Sequence, residues 1–292
     1  MLAIAGIIVV FLAVMGGFKW QGGNVHVLIQ PEELLIIGGA ALGSLLIASP
    51  KRVARDILRS FPSIFKDEKD SKKLFVDILL LLFHLLTEFR REGAQHVERM
   101  VNTPHKTPLF KKYPIVLKNE EACNFICDNF KIFITTDIEP HEFDNLMEID
   151  METQRQQAMI SPLAFGKLAD SLPGLGIVAA VLGVVLSMGK MSEPPEVLGH
   201  SVGAALVGTF LGVLACYGFV GPMSTRLEYQ VHEKQALLNV IKTTMGAVAI
   251  GMPPAMAVES GRRAIPSEYR PSFDDLERIL RIGRKKSDRS EG

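Results

Sequence analysis

The sequence predicts an all-α integral membrane protein with four transmembrane helices and a helical cytoplasmic domain. Of its 292 residues, 48% are hydrophobic and 22% are charged, and the charged residues lie almost entirely outside four apolar blocks. Each block has about 20 residues, the length that an α-helix needs to cross the hydrocarbon core of a bilayer. The blocks cover residues 1–18, 33–50, 172–189 and 201–222. Short loops join them in pairs, so we expect two helical hairpins.

The first apolar block begins at Met1 and ends near Phe18. It lacks the positively charged start and the small-residue cleavage motif of a secretory signal peptide. We therefore expect a retained first span.

The distribution of basic residues predicts the orientation of the spans. Nearly all Lys and Arg residues lie in the segments 51–167 and 223–292, whereas the hairpin loops are short. Basic segments next to membrane spans stay in the cytoplasm. Both segments and both termini are therefore predicted to be cytoplasmic.

A further apolar run, Leu74–Leu86, is too short for a fifth span. It has about 13 residues and contains Asp77 and His84. An extra span would also move the basic residues that follow it to the wrong side. We expect a buried helix of the cytoplasmic domain.

The predicted domain boundaries follow from these assignments. Apolar residues at helical spacing indicate that the third span begins as a long cytoplasmic helix and that the fourth continues as one. The charged tail from Lys285 is predicted to be disordered. The domains are a transmembrane hairpin at 1–50, a cytoplasmic helical domain at 51–167, a second hairpin at 168–222 and a cytoplasmic extension with the tail at 223–292.

Small residues recur four positions apart in three of the spans. In lipid, such residues mark faces where helices pack closely. These faces serve contacts within the chain or contacts with helices of other subunits. The sets are Gly39 with Gly43, Gly176 with Ala180, Ala179 with Gly183, and the ladder Ala204, Gly208 and Gly212.

Two prolines flank the glycine-rich third and fourth spans at their cytoplasmic ends. Pro173 lies at the start of the third block and Pro222 at the end of the fourth. A proline is accommodated at the first position of a helix, but inside a longer helix it removes a hydrogen bond and produces a kink. Both alternatives remain open, and a helix that begins well before residue 170 favours the hinge.

Titratable side chains are missing from the middle of the predicted spans. Asp170 lies at the cytoplasmic boundary, and Thr209 lies in the middle of the fourth span. A proton carrier normally needs a titratable group inside the membrane. The chain therefore moves no ions, or a partner supplies the acid. Thr209 either bonds its own helix backbone or lines a pore.

Other classes of function are disfavoured. The 32 Lys and Arg residues balance 32 acidic residues, which argues against nucleic acid as a partner. The three cysteines, Cys123, Cys127 and Cys216, are expected to be reduced and to hold no metal. No nucleophile–base set, phosphate loop or cofactor motif occurs, so we expect neither an enzyme nor a cofactor. The absence of a repeat between the hairpins weakens a conventional carrier.

Several segments of the spans and the tail form a specific combination. They are Asp170–Pro173 with Gly176–Val185, Val207–Gly212 with Tyr217–Phe219 and Pro222, then Pro253-Pro254, Ala257–Glu259, Gly261-Arg262 and Arg270–Phe273. In these segments, and over nearly its whole length, the chain resembles the flagellar motor stator subunit family MotA of the MotA/TolQ/ExbB superfamily.

The resemblance implies an inner-membrane complex that converts proton flow into torque. Family members form a ring of about five copies around a pair of single-span MotB chains, whose membrane aspartate carries the ion, and the complex drives the rotor protein FliG. Pro173 and Pro222 then couple ion passage to motion of the cytoplasmic domain. Arg90 and Glu98 make ionic contacts with the rotor, which suit stepping because exposed ion pairs are weak.

The resemblance also concerns the ion. Sodium-type relatives have a threonine where Ala180 stands, and a methyl group cannot replace a hydration shell, so Ala180 favours protons. Together with Thr209 it is expected to line the ion path. The alternative is an energiser of the ExbB/TolQ type, which has three spans. The fourth span and the tail segments argue against it.

Overall fold

The chain is helical through almost its whole described length. The computed structural model describes residues 2–65 and 71–289, and no β-strand occurs in those ranges. The first helices are α1 (Leu2–Trp20), α2 (Pro31–Ala48) and α3 (Lys51–Ser60), with 3-10 turns at Val25–Leu28 and Phe61–Phe65. Next come α4 (Ser71–Glu92), α5 (Ala94–Asn102), α6 (Pro108–Lys111), α7 (Pro114–Lys118) and α8 (Glu120–Thr135). The remaining helices are α9 (Pro140–Met188), α10 (Pro195–Leu214), a π-helical turn (Ala215–Val220), α11 (Gly221–Ala249), α12 (Pro254–Ala264) and α13 (Phe273–Arg289).

Four helical stretches among the described residues are long and apolar enough to cross a membrane, which confirms the predicted fold class. They are Leu2–Trp20, Val25–Ala48, Pro140–Met188 and Pro195–Ala249. The last two have 49 and 55 residues, so the prediction that the third and fourth spans belong to long helices is also confirmed. α1 buries none of its side chains, an arrangement that suits lipid as the surrounding solvent.

The chain packs into two compact units. One comprises Met1–Asp67 with Gln156–Val231, and the other comprises Glu68–Arg155 with His232–Gly292. This division follows packing within the chain and not membrane position. The domain boundaries at residues 51, 168 and 223 therefore stay a prediction.

The first unit is fastened by small apolar clusters and by side-chain hydrogen bonds to backbone carbonyls. Ile37, Ala41 and Leu172 belong to one buried cluster. The Ser224 hydroxyl donates to the Pro162 carbonyl over 2.8 Å. Arg226 Nε donates to the Ile64 carbonyl over 2.6 Å. These bonds fix the start of α11 against α9 and the 3-10 turn after α3.

The second unit is built around α4. Eight apolar side chains of this helix are buried, namely Phe75, Ile78, Leu79, Leu81, Leu82, Phe83, Leu85 and Leu86. This burial confirms that the apolar run at Leu74–Leu86 is a core helix and not a fifth span. Its polar residue His84 lies 3.2 Å from the Tyr113 hydroxyl through Nδ1. Burial, followed by the charge of Asp77, raises the pKa of Tyr113 to about 12.

The last helix, α13, continues to Arg289. The disorder of the charged tail from Lys285 stays a prediction. Residues 290–292 lie outside the described residues. Alternating acids and bases on α13 support this helix, because Arg278 and Arg281 pair with Asp275 and Glu277 at spacings of three and four, where helical side chains are neighbours.

Candidate functional site: the paired glycine-rich helices

The backbones of α9 and α10 approach so closely that side chains are excluded from the contact. A Cβ atom at Gly212 would lie 2.5 Å from the Leu172 carbonyl oxygen and 2.9 Å from the Gly176 Cα. A Cβ at Gly176 would lie 2.7 Å from the Gly208 carbonyl oxygen. Backbone atoms cannot rotate away as a side chain can, so glycine is required at these positions. We call this line of contact between α9 and α10 the glycine seam.

The glycine seam accounts for part of the small-residue pattern. Gly183 adjoins Ala205, since a Cβ at Gly183 would lie 2.6 Å from the Ala205 Cβ. These contacts are therefore made within the chain. The pair Gly39 and Gly43 on α2 behaves differently, because no heavy atom of another described element lies within 4 Å of a Cβ built at either. The intramolecular alternative for that pair is not realised in the described residues.

Ala180 and Thr209 both lie at the glycine seam. A Cβ at Gly208 would lie 3.1 Å from the Ala180 backbone nitrogen, and Ala180 is buried. The Thr209 Cα would lie 3.3 Å from a Cβ at Gly176. Within the described chain the Thr209 hydroxyl makes no hydrogen bond to its own helix, unlike the Ser187 hydroxyl, which donates to the Gly183 carbonyl. The assignment of Ala180 and Thr209 to the ion path stays a prediction.

Pro173 is an interior residue of a helix. α9 begins at Pro140 and runs without a break to Met188, with Pro162 and Pro173 inside it. The helix-start alternative is therefore wrong for Pro173. A proline at this position removes one hydrogen bond of the helix and leaves the carbonyl four residues earlier without its helical donor.

Pro222 also lies within a continuous helical path, as the second residue of α11, which directly follows the π-helical turn at Ala215–Val220. At the end of that turn the Gly221 N–H donates to the Cys216 carbonyl, a five-residue step. A Cβ at Gly221 would lie 2.9 Å from that same oxygen. A π-helical turn holds an extra residue and often marks a functional position. The helix that contains Pro222 thus has two irregularities at one place.

The sequence analysis did not identify Glu33, the acidic residue that the structure buries in the glycine seam. Its side chain is 8% exposed on α2. Oε1 lies 3.3 Å from the position of a Cβ at Gly183, and a Cβ at Gly208 would collide with Oε2. Among the described residues Oε2 is buried and has no hydrogen-bond partner. Glu33 lies in the first turn of α2, so the prediction that no acid lies in the middle of a span still stands, but an acid of this chain does reach the glycine seam.

A signal for Glu33 does exist in the sequence. Glu33, Ile37 and Ala41 recur every four residues, and they are the buried residues of α2. An acid that continues a buried helical stripe differs from Glu32, which is exposed. Both acids lie in the first turn of α2, where a negative charge favours a helix start, and this position conceals the difference between them.

The two residues expected at the rotor contact lie in the second unit and do not pair with each other. Arg90, at the end of α4, is exposed, and its Nη2 donates to the Met252 carbonyl over 3.1 Å. Met252 follows Gly251, whose φ of 89° places it in the left-handed region that glycine adopts readily. Glu98 on α5 is half-buried. Arg90 thus has a structural contact that the sequence did not indicate.

The tail segments form an ionic cluster that supports the fold. Arg262 binds the Glu259 carboxylate through two nitrogens, at 2.7 and 2.8 Å. Its third nitrogen donates to the Pro271 carbonyl over 3.0 Å, so α12 is joined to the loop before α13. The hydrogen bond from Arg262 holds the pKa of Glu259 below its ordinary range, against the effect of burial. Within the ranges described, no group of three potential ligands could hold a metal.

Comparisons with known proteins agree with one another. The family model of the Motility protein A N-terminal region matches residues 4–93, and that of the MotA/TolQ/ExbB proton channel family matches residues 118–239. Motility protein A of Escherichia coli (strain K12) is 35% identical over 281 residues, which are 96% of this chain and 95% of the relative. Chemotaxis protein LafT of Vibrio parahaemolyticus is 30% identical, with 94% and 96% of the two chains covered.

Two solved structures share the fold. A chain of the flagellar MotAB stator complex from Bacillus subtilis has a TM-score of 0.71 at 22% identity, with 94% of this chain and 98% of that chain covered. A chain of C. jejuni MotAB has a TM-score of 0.76 at 17% identity, with coverage of 93% and 98%.

Proposed function

The chain belongs to the Motility protein A family of flagellar stator subunits, and we propose that it conducts protons together with a MotB-like partner and drives the rotor protein FliG. Membership of this family makes it a multi-pass membrane protein and a component of a channel complex rather than an enzyme. The observation that carries the proposal is the glycine seam together with two prolines, Pro173 inside α9 and Pro222 near the start of α11, which continues the helical stretch of α10. The features needed for an ion path and for a hinge therefore occur together.

The partner supplies the membrane aspartate. α9 has no Asp, Glu, Lys or Arg between Pro173 and Met188, and the apolar side chains of Ile177, Val181 and Val185 are more than half exposed. An apolar face of this size suits a helix of another chain. We propose that this face meets the partner helix or the next subunit of a ring, with about five copies around two partner chains.

The transported ion is the proton. Ala180 presents only a methyl group at the glycine seam, so this position offers no oxygen to a sodium ion. Thr209 has a hydroxyl without a hydrogen bond to its own helix in the described residues, which leaves it able to contact water in an ion path. Hydration water can pass protons, whereas sodium requires oxygen ligands in a fixed shell.

Torque reaches FliG through the charged surface that carries Arg90 and Glu98. The hydrogen bond of Arg90 to the Met252 carbonyl is exposed, and exposed charged contacts contribute little stability and break readily. Arg90 can therefore exchange this bond for an acidic group of the rotor. Pro173 and Pro222 transmit the change from the ion path, since each proline weakens the helical hydrogen-bond ladder locally.

Orientation follows from the basic segments. We propose that both termini and the segments 51–167 and 223–292 face the cytoplasm, because Lys and Arg concentrate there. The loops at the two hairpins then face the exterior of the inner membrane. Attachment of a membrane-impermeant reagent to single cysteines placed in each loop tests this orientation.

The central experiment is co-purification of this chain with a one-span partner that carries a membrane aspartate, followed by reconstitution in vesicles. A proton gradient should collapse through the wild-type complex, and replacement of the partner aspartate by asparagine should abolish the flux. A complex that forms but conducts nothing would contradict the proton-conducting function. Flux that persists without the aspartate would contradict the role of the partner.

The alternative function is that of an ExbB/TolQ-type energiser, which shares one of the two matched family models. The match to the Motility protein A N-terminal region favours the flagellar motor. Restoration of swimming in a host that lacks its own stator distinguishes the two. An energiser of another process would leave that host non-motile.

A further inference from the structure

We propose that Glu33 is a proton-binding group of this chain, a second carboxyl on the ion path in addition to the aspartate of the partner. The inference rests on the proposed function, since it assigns a role in proton conduction to a residue of α2. It extends that function, because the sequence alone had left every acidic group of the path to the partner.

The position of Glu33 is the first argument. The side chain is 8% exposed, and it projects from α2 between α9 and α10. Its oxygens occupy the spaces that side chains at Gly183 and Gly208 would fill. A residue larger than glycine at Gly208 would displace the carboxyl group. The notch is thus shaped for this carboxyl by two glycines of different helices.

The missing hydrogen-bond partner is the second argument. Oε2 of Glu33 is buried and unpartnered among the described residues. A carboxylate without a partner inside a membrane protein is strongly disfavoured, and an intramembrane acid is a functional residue by default. An apolar side chain would anchor α2 to the glycine seam at lower cost. Uptake of a proton removes the charge and makes the burial acceptable.

The surroundings of Glu33 favour uptake of a proton over pairing with a base. Gly183 of α9 and Gly208 of α10 adjoin the carboxyl, and neither of them can titrate. The 3-10 turn at Val25–Leu28, which also packs against α10, contributes His26. Glu32 lies on the same turn of α2, and its negative charge opposes a second one. No basic side chain of the described residues pairs with Glu33.

The position relative to the predicted ion path is the third argument. Gly208, whose missing side chain leaves room for Oε2, also adjoins the backbone nitrogen of Ala180 at the seam. Glu33 therefore reaches the same part of the seam as a residue assigned to the ion path. A proton that enters from the exterior end of α2 can be held there before it passes to the acid of the partner.

The first test measures proton flux through the complete complex in vesicles with a pH-sensitive dye. Glu33→Gln removes the titratable group and keeps the shape, and we expect the flux to fall at least fivefold. Glu32→Gln is the matched control, because Glu32 is an exposed acid on the same turn, and its flux should stay within twofold of wild type. Equal flux in Glu33→Gln and wild type would overturn the inference.

The second test does not depend on conduction. Infrared difference spectroscopy of the purified complex detects the carbonyl stretch of a protonated carboxyl. We expect a band that is absent in Glu33→Gln, present in Glu32→Gln and shifted in heavy water. Absence of such a band would show that Glu33 binds no proton and would overturn the inference.

The two tests separate the inference from the proposed function. A wild-type complex that conducts no protons would contradict the proposed function, while the infrared band still decides whether Glu33 binds a proton. A conducting wild type with an equally active Glu33→Gln variant would contradict the inference alone. Normal yield and subunit ratio of Glu33→Gln show that reduced flux does not reflect failed assembly.

Discussion

Replacement of Gly212 by alanine tests whether the glycine seam is as close-packed as its backbone distances indicate. The new Cβ would lie 2.5 Å from the Leu172 carbonyl oxygen and 2.9 Å from the Gly176 Cα. An ordinary contact begins near 3.4 Å, so the two helices must separate by about 0.9 Å along this line. The obstructing atoms belong to the backbone, and no side-chain rotation relieves the collision.

The magnitude follows from this separation and from a matched control. Gly203 lies on the same helix, and a Cβ there would meet no heavy atom within 4 Å. Both substitutions gain the higher helix propensity of alanine, about 1 kcal/mol, so that gain cancels in their difference. Overpacking costs about 1–3 kcal/mol, and a rigid backbone collision belongs at the upper end. A difference of about 3 kcal/mol raises by about a hundredfold the population of molecules in which α9 and α10 have separated.

The rate at which a maleimide labels Cys216 measures this population, because Cys216 is buried in the cluster that adjoins the glycine seam. In a background with alanine at Cys123 and Cys127, we expect Gly212→Ala to label about a hundredfold faster than Gly203→Ala. Equal labelling rates for the two variants would refute the reasoning, since they would mean that the seam yields without cost.

The remaining predictions concern the hinge, the rotor contact and the ionic cluster of the tail. Pro173→Ala restores a helical hydrogen bond, so motility should be lost while membrane accumulation stays normal; undiminished swimming would exclude the hinge. Arg90→Gln keeps a donor for the Met252 carbonyl but removes the charge, so torque on a tethered cell should fall although the protein assembles; wild-type torque would show that only the hydrogen bond matters. Glu259→Gln should destabilise the second unit by about 3 kcal/mol near neutral pH, because Arg262 stays partly buried without its partner. The pKa of Glu259 is lowered in the folded state from an ordinary 4.5, so the wild-type advantage is present above that pH and declines as the pH falls through the lowered value; an advantage that persists in strong acid would contradict this assignment.

Much of the membrane architecture is predictable because lipid imposes simple rules of length and composition. The four spans, the long third and fourth helices and the buried helix at Leu74–Leu86 follow from span length and periodicity alone. The interior position of Pro173 depends on where its helix begins, which is more than thirty residues earlier, at Pro140. Apolar residues at helical spacing before the third span favoured an interior position of Pro173 over a position at the start of a helix.

The contacts that sequence analysis missed are those that depend on tertiary packing. Glu33 looks like an ordinary acid at a helix start, and only the approach of Gly183 and Gly208 shows that it is buried. The bond from Arg90 to the Met252 carbonyl joins residues 162 positions apart. No local pattern encodes such a pair, since the acceptor is a backbone atom that every residue has.

The π-helical turn at Ala215–Val220 has a consequence for the length of the chain. A helix advances by about 100° for each residue, and a π-helical turn accommodates one residue more than an α-helical turn of the same height. Loss of a single residue from this turn would convert it to regular α-helix without rotating Pro222 away from its neighbours. Deletion of one residue from the α-helical segment Val207–Gly212 has a different effect. It would rotate the glycines that precede it by about 100°, away from the glycine seam. Length variation among stator subunits in this helix should therefore be confined to Ala215–Val220.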